Sequence, residues 1–547
     1  ISQPVQLTQP MSTDSDILKS MSLAIGLCLS LASLYAQNRV RREIPEMGPR
    51  TALEQQNLFH LPPGFRIELV AAEPDIRKPI NMNFDAAGRL FVSQSVEYPF
   101  TPSPSRQPRD SIILLTDEDN NGVPEKVIDF AAGLSIPVGI TPIPGGAIGL
   151  SIPNLYRFLD DDGDGKADRR EVAYGRFGYG DTHGMVSSLT WWIDGWIYGC
   201  HSNNNQSTAK GSDGHAIEIK TGNTHRFRPD GSHIEFFTLG QVNPFGITFD
   251  PLGNIFNADC HTKPIYMLLR GGYYPDVTFK GHDGLGFAPA MMRHTHGSTG
   301  LAGIVYYAAA QFPESYHNTI FIGNPVTGRI NHDRLVARGS SYRAIEQPDF
   351  LSCDDPWFRP VDLQQAPDGS LYVADFYSPI IAHYEVPLTH SKRDRQHGRI
   401  WRISYVGEDG DPPKTGPDLT EASLDELLGF LSHANLVVRT HATHQLVHRI
   451  GQPAGQRIKA MLADGLGAEQ RAHGLWVLAR LGVLDVQTIH QLAADDQRLV
   501  RVHLMKALAE KPEWQDEERS HARRALTDDD AFVRRAAVEA LGRHPHP

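Results

Sequence analysis

A short β-rich unit recurs through the first two thirds of the chain, and it restricts the fold more than any other feature. The unit is an apolar run, a turn carrying Asp, Pro or Gly, and a second β-rich run. It reads FDAAGRLFVSQS from Phe84, WIDGWIYGCHSN from Trp192, FDPLGNIFNADC from Phe249 and APDGSLYVADFY from Ala366. Weaker copies begin at Pro144 and His317, and successive copies lie about 50 to 65 residues apart. Self-similar β-units at this spacing predict propeller blades, and six copies predict six blades. A closed ring of blades removes sheet edges and gathers loops around a central channel. The 49 Gly and 38 Pro suit such a turn-rich body. A β-sandwich with unrelated strands is the alternative. The propeller is assigned to residues 57–405, preceded by a linker over 37–56.

Residues 406–418 read as a second linker, and from Leu419 onward Ala, Leu, Arg and His dominate. Four units there resemble one another, with matching arginines at 439, 471, 501 and 534, steps of 32, 30 and 33. An Asp-containing turn, then Val-Arg and an Ala/Leu-rich helix, resembles the HEAT-type repeat. Such helix pairs bury their apolar faces only by stacking. The expected fold is therefore a mainly β six-bladed β-propeller followed by an all-α HEAT-like helical-repeat domain over 419–547. The chain starts at Ile1 and stops directly after the fourth unit, which predicts a piece of a longer protein.

Residues 21–36, MSLAIGLCLSLASLYA, form an apolar stretch after Lys19 that turns polar at Gln37. It is shorter than the roughly 20 residues of a comfortable membrane span. Residues 1–36 are read as a secretory signal peptide, with an N-terminal anchor as the alternative. The expected location is secreted or periplasmic, or membrane-anchored by this segment. Only four Cys occur, which excludes a scaffold built on disulfides, and Cys200, Cys260 and Cys353 would remain, an odd count that leaves at least one thiol unpaired unless a partner supplies a sulfur. With 52 Lys+Arg against 64 Asp+Glu, the net charge of −12 argues against a nucleic-acid partner bound through a broadly basic surface.

Two aspartate loops carry the spacing of calcium ligands. In the first, Asp160, Asp162, Asp164, Asp168 and Glu171 fall at loop positions 1, 3, 5, 9 and 12, with Gly165 at the sharp turn. In the second, Asp117, Asp119, Asn121 and Glu125 repeat the start of the pattern, but Ile128 stands at position 12. Both read as structural clips between strands. The catalytic candidates are scattered over loops at corresponding places in the blades: Asp181 and His183, Asn243, Asp259 to His261, His282 and Asp283, the HTHGSTG run from His294, and Arg359 with Asp362. A loop His near neutrality suits general-base work. Arg suits gripping a carboxylate or a quinone oxygen. Cys200-His201 and Cys260-His261 are not CxxCH, so no covalent haem site is encoded.

The runs NPFGITFDPLGNIFNADCHTKPIYMLLRGGYYP, HDGLGFAP, HGSTGLAGIVYY, DDPWFRPVDLQQAPDGSLYVADFY and HYEVPLTHSKRDRQHGRIWRI together resemble the bacterial, planctomycete-type membrane-bound-dehydrogenase-like proteins. Their propeller is similar to soluble glucose/sorbosone dehydrogenases. The resemblance spans about Phe59 to Ile403. It implies a PQQ-dependent oxidoreductase, using pyrroloquinoline quinone and calcium, that oxidises a sugar or related alcohol or carbonyl compound and passes electrons to a c-type cytochrome. His183 corresponds to the catalytic base, and Arg359 is the second catalytic candidate. Asn243, Thr299, Asp362 and His261 are the implied cofactor-binding residues. Val242 stands where the family has an arginine before the asparagine. The alternative is a non-catalytic, calcium-stabilised scaffold that binds glycan or protein at the cell surface, with an unknown protein partner for the helical repeats.

Overall fold

A computed structural model describes residues 44–545, except 104, 203, 261, 276–289, 299, 382–385, 409 and 463–465. The expected signal segment, His261, Thr299, His282 and Asp283 lie outside the described residues.

Six strands line the axis of the β-body: β1 (Pro79–Phe84), β2 (Ile140–Ile143), β3 (Ser187–Trp191), β4 (Pro244–Phe249), β5 (Ala302–Tyr306) and β6 (Pro360–Gln365). They contact one another in chain order, and β6 returns to β1, so the ring of blades is closed. Each starts a sheet running outward, antiparallel throughout except where Tyr273–Tyr274 adds a parallel outer pair to the third blade. The sixth blade is completed by Phe65–Ala72, which pairs with Arg399–Tyr405. Both ends of the propeller segment thus share one sheet, and two free edges become one ladder. The weak copies at Pro144 and His317 both form blade strands. The third blade also carries a hairpin, Ser207–Lys210 with Ala216–Ile219.

The axial strands approach to backbone contact. Bulges interrupt the register between Ser187 and Thr190, Phe245 and Ile247, and Ala302 and Ile304. Gly303 sits at φ +59°, and a Cβ there would lie 2.7 Å from the Cα of Asp362. Only glycine meets both demands.

Eight α-helices follow among the described residues: α1 (Leu424–Phe430), α2 (Leu436–Gln445), α3 (Gln452–Leu462), α4 (Ala468–Arg480), α5 (Val486–Ala493), α6 (Arg498–Glu510), α7 (Asp516–Ala525) and α8 (Ala531–Arg543). None is long and apolar enough to cross a membrane. The repeated arginines have a common job. Arg501 donates to the Asp495 carbonyl at 2.8 Å and pairs with Asp528 of the next unit at 2.7 Å. Arg471 pairs with Asp495 at 2.6 Å in the same way. Arg471 and Arg501 therefore close their own turns and tie them to the next, while Arg439 and Arg534 close their turns through the carbonyls of Ala434 (3.2 Å) and Asp529 (3.0 Å).

The helices lie across one end of the propeller. His503 on α6 meets the Pro251 carbonyl at 2.8 Å, Lys506 donates to the Gly253 carbonyl at 3.0 Å, and Gln365 donates to Asn435 at 2.7 Å. Trp192, Phe249 and Leu252 of the blades share a core with Leu475, Trp476 and Met505. The start of each axial strand faces the other end, which is called the mouth below.

Candidate active site

The mouth is built from loops that enter the axial strands and loops that leave the second strand of each blade. Carboxylates at the ends of second strands bolt these loops together. Asp259 accepts from the backbone N–H groups of Val242 (3.1 Å) and Asn243 (3.2 Å), just before β4. Asp375 accepts from the N–H of Arg359 at 2.8 Å, just before β6. A carboxyl acceptor on otherwise orphaned N–H groups fixes the loop geometry.

His183 is held inside this frame. Its Nδ1 lies 3.1 Å from Asp181 Oδ1, which also accepts from the His183 backbone N–H at 3.0 Å. Asn204 donates to the other Asp181 oxygen at 2.7 Å. Asn205 brackets the turn, donating to the Asp181 carbonyl at 2.7 Å. The hydrogen bonds from His183 first, and from Asn204, push the Asp181 carboxyl well below the ordinary carboxylate range. An ionised Asp181 on Nδ1 favours the tautomer that places the lone pair on Nε2, which is what a general base needs. Asn243 donates to the His183 carbonyl at 3.2 Å. Tyr98 meets the imidazole edge-on, with ring centroids 5.1 Å apart. The first, third and fourth blades thus converge on one histidine.

The sequence candidates divide by position. His183, Asp181, Asn243 and Asp259 come together at the mouth. Arg359 directly precedes β6 at the same end, but its guanidinium donates to the carbonyls of Phe358 (3.0 Å) and Pro379 (3.3 Å). Asp362 lies buried between the first and sixth blades and accepts from the Met82 N–H at 2.8 Å. Burial raises its pKa to about 7.

The sequence reading missed Lys78, Tyr98, Asn204 and Asp394. Lys78 is fully buried at the mouth. It donates to the carbonyls of Phe376 (3.0 Å) and Tyr377 (2.7 Å) and pairs with Asp394 at 2.6 Å. Desolvation lowers its pKa to about 8. The available signal was its place directly before Pro79 and β1, equivalent to Val242 and Asn243 before β4.

Both aspartate loops join the third and fourth strands of adjacent blades. Carboxylates of Asp160, Asp162 and Asp168 converge closely enough to share a cation, as do those of Asp117, Asp119 and Glu125. Asp160 also accepts from Gly163 (2.8 Å) and Gly165 (3.0 Å). Asp164 accepts from the Lys166 N–H at 2.8 Å, and Asn121 Oδ1 from the Val123 N–H at 2.7 Å. Glu171 instead pairs with Arg157 at 3.4 Å and with Arg169.

A cavity of about 630 Å³ lies at the other end of the axis, between the propeller and α2. Trp191, Gln364, His441 and His444 are among the residues that line it. Among its described residues there is no carboxylate–imidazole pair like that at the mouth.

Residues 51–407 match a family model described as "Domain of unknown function (DUF7133)". No curated protein matches the chain. Among solved structures, the chain is similar to the soluble aldose sugar dehydrogenase from Escherichia coli. The identity is 13% and the TM-score 0.35, over 62% of this chain and 99% of that one. A PQQ-bound aldose sugar dehydrogenase from Streptomyces coelicolor is similar at 13% identity and TM-score 0.40, over 63% and 100%. Regucalcin from Agrobacterium tumefaciens, a calcium-binding protein, is similar at 12% identity and TM-score 0.37, over 64% and 97%.

Proposed function

The chain belongs to the DUF7133 family, and we propose that its propeller is a dehydrogenase-type site for a sugar or related hydroxylated substrate. The observation that carries this reading is the 3.1 Å contact between His183 Nδ1 and Asp181. His183 takes the hydroxyl proton at Nε2 as the alcohol becomes a carbonyl. Asp181 stabilises the imidazolium that forms. Asn243 holds the loop through the His183 carbonyl, and Tyr98 packs the ring against turning. The hydrogen on the carbinol carbon leaves as hydride, carrying both electrons to a two-electron hydride acceptor, which then passes single electrons to a c-type cytochrome, the proposed final partner in a secreted or periplasmic setting.

Pyrroloquinoline quinone is the acceptor that the family resemblance implies. Lys78, Arg359, Arg393 and Arg395 are committed to protein acceptors and do not fit it. A quinone bearing several carboxylates needs cations facing it. Val242 supplies none, and Lys78 spends its donors on Asp394 and two carbonyls. Arg393 donates to the carbonyls of Val386 and Pro387, and Arg395 to those of Val96 and Glu97. No step is therefore routed through the quinone.

That commitment of cations favours a second reading, a scaffold that binds glycan or protein at the mouth and through HEAT-like helices. In either reading the aspartate loops are calcium clips, because their convergent carboxylates suit a hard cation. The readings separate in a dye-linked oxidation assay over a sugar panel, run with and without added quinone beside a calorimetric titration of the quinone. Turnover that His183→Ala removes supports the dehydrogenase. Absence of turnover and of quinone binding in folded, calcium-loaded protein supports the scaffold.

A further inference from the structure

We propose that His294, His296 and Asp333 form a binding site for a divalent transition-metal ion, separate from the aspartate loops and from His183. The three residues come from two places. His294 and His296 lie on the loop entering β5, and Asp333 lies on the strand Arg329–Arg338 of the same blade. His294 Nε2 is 2.7 Å from one Asp333 oxygen, and His296 Nε2 is 2.6 Å from the other. One ligand atom from each residue falls within a 4.8 Å cluster. Two imidazoles and one carboxylate on a single face are the donor set that first-row transition metals take, whereas the all-oxygen loops suit calcium.

A second observation concerns the far side of His296. Its Nδ1 lies 3.4 Å from Glu346 Oε1. A metal-bound imidazole characteristically donates its other N–H to a carboxylate, which fixes the tautomer that leaves Nε2 free to ligate. Glu346 is the register partner of Asp333 on the neighbouring strand. Two carboxylates directly opposite one another repel, and His296 with a cation between them relieves that repulsion. Asp333 and the His296 side chain are buried, at 0% and 1% exposure, whereas His294 is 20% exposed and gives a route in. Asn324 fixes the loop further by donating to the His296 carbonyl at 3.3 Å. Three protein ligands leave coordination positions for water.

The test is a titration of Co²⁺ into the full chain in excess Ca²⁺, read by visible d–d absorption, with Zn²⁺ as competitor. One equivalent of cobalt with imidazole-type absorption, displaced by zinc, is expected. Glu346→Gln is expected to weaken binding roughly 10- to 100-fold, and His294→Ala by more. His294 is partly exposed on a loop, so His294→Ala tests the site even if Asp333→Asn fails to fold. Asp160→Asn is expected to leave the cobalt signal unchanged. The proposal is overturned if wild-type protein binds no cobalt, or if His294→Ala and Glu346→Gln bind it as the wild type does. The cluster is then only a hydrogen-bonded loop anchor.

Discussion

Glu510, the last residue of α6, lies 2.9 Å from the guanidinium of Arg226 in the third blade. Arg226 is 1% exposed and stacks on Trp196, 4.1 Å from its centroid. Glu510 also accepts from Arg270 at 2.6 Å and from Trp196 Nε1 at 3.0 Å. This carboxylate thereby adds a buried ionic tie to the other contacts between the helical region and the propeller. Glu510→Ala leaves Arg226 buried against fewer partners and is expected to cost about 3–5 kcal/mol, read as a lower unfolding temperature or as separate melting of the two regions.

The same carboxylate sets an acid limit. Burial alone would raise its pKa, but Arg226 and Arg270 outweigh that and hold it well below the ordinary 4.5. A depressed acid contributes stability that is complete above its unfolded pKa and is lost as pH falls below it. The stability difference between wild type and Glu510→Gln is therefore expected to be constant above pH 4.5 and to shrink below it. Denaturant unfolding across that range measures this.

Asp362 behaves in the opposite sense. Burial raises its pKa from 3.8 to about 7, so the folded state holds a proton that the unfolded chain releases. Where the folded state binds more protons, stability falls as pH rises. Wild type is expected to lose stability relative to Asp362→Asn between pH 4 and pH 7, with no further change above. A difference that stays flat across this window would refute the buried, protonated carboxyl.

At the mouth, His183→Ala is expected to lower turnover by about 100- to 10,000-fold while the unfolding temperature stays near that of wild type. Asp181→Asn retains an acceptor for the ring N–H but removes the charge, so its loss is expected to be smaller. Steady-state rates beside melting curves for both variants check this.

Calcium at 100 times its dissociation constant stabilises a folded site by about 2.7 kcal/mol. Chelation is expected to lower the unfolding temperature, and the paired change Asp160→Asn with Asp162→Asn to remove most of that response. A chelator effect that survives the paired change would move the ion elsewhere.

Much of this architecture is legible from local pattern. The turn-flanked runs at Phe84, Trp192, Phe249 and Ala366 recur because each blade meets the same packing demand. The arginines at 439, 471, 501 and 534 recur because each helical unit closes the same turn. The aspartate loops are legible because consecutive residues supply their ligands. Lys78 belongs to no such local ligand pattern, and its place before Pro79 was its one signal. A lysine before a proline looks solvated until Phe376, Tyr377 and Asp394, some 300 residues away, are folded around it. Asn204, Tyr98 and the pairing of Asp333 with Glu346 were hidden for the same reason.

The sequence by itself determined the repeat units, their number and the change from strands to helices, because period and turn chemistry act over a few residues. Only the tertiary structure decided which loops share the mouth, which carboxylate orients His183, which cations are already committed, and where the helices dock. Those outcomes depend on ring closure, which brings Phe65–Ala72 beside Arg399–Tyr405 and sets residues from separate blades within hydrogen-bonding distance.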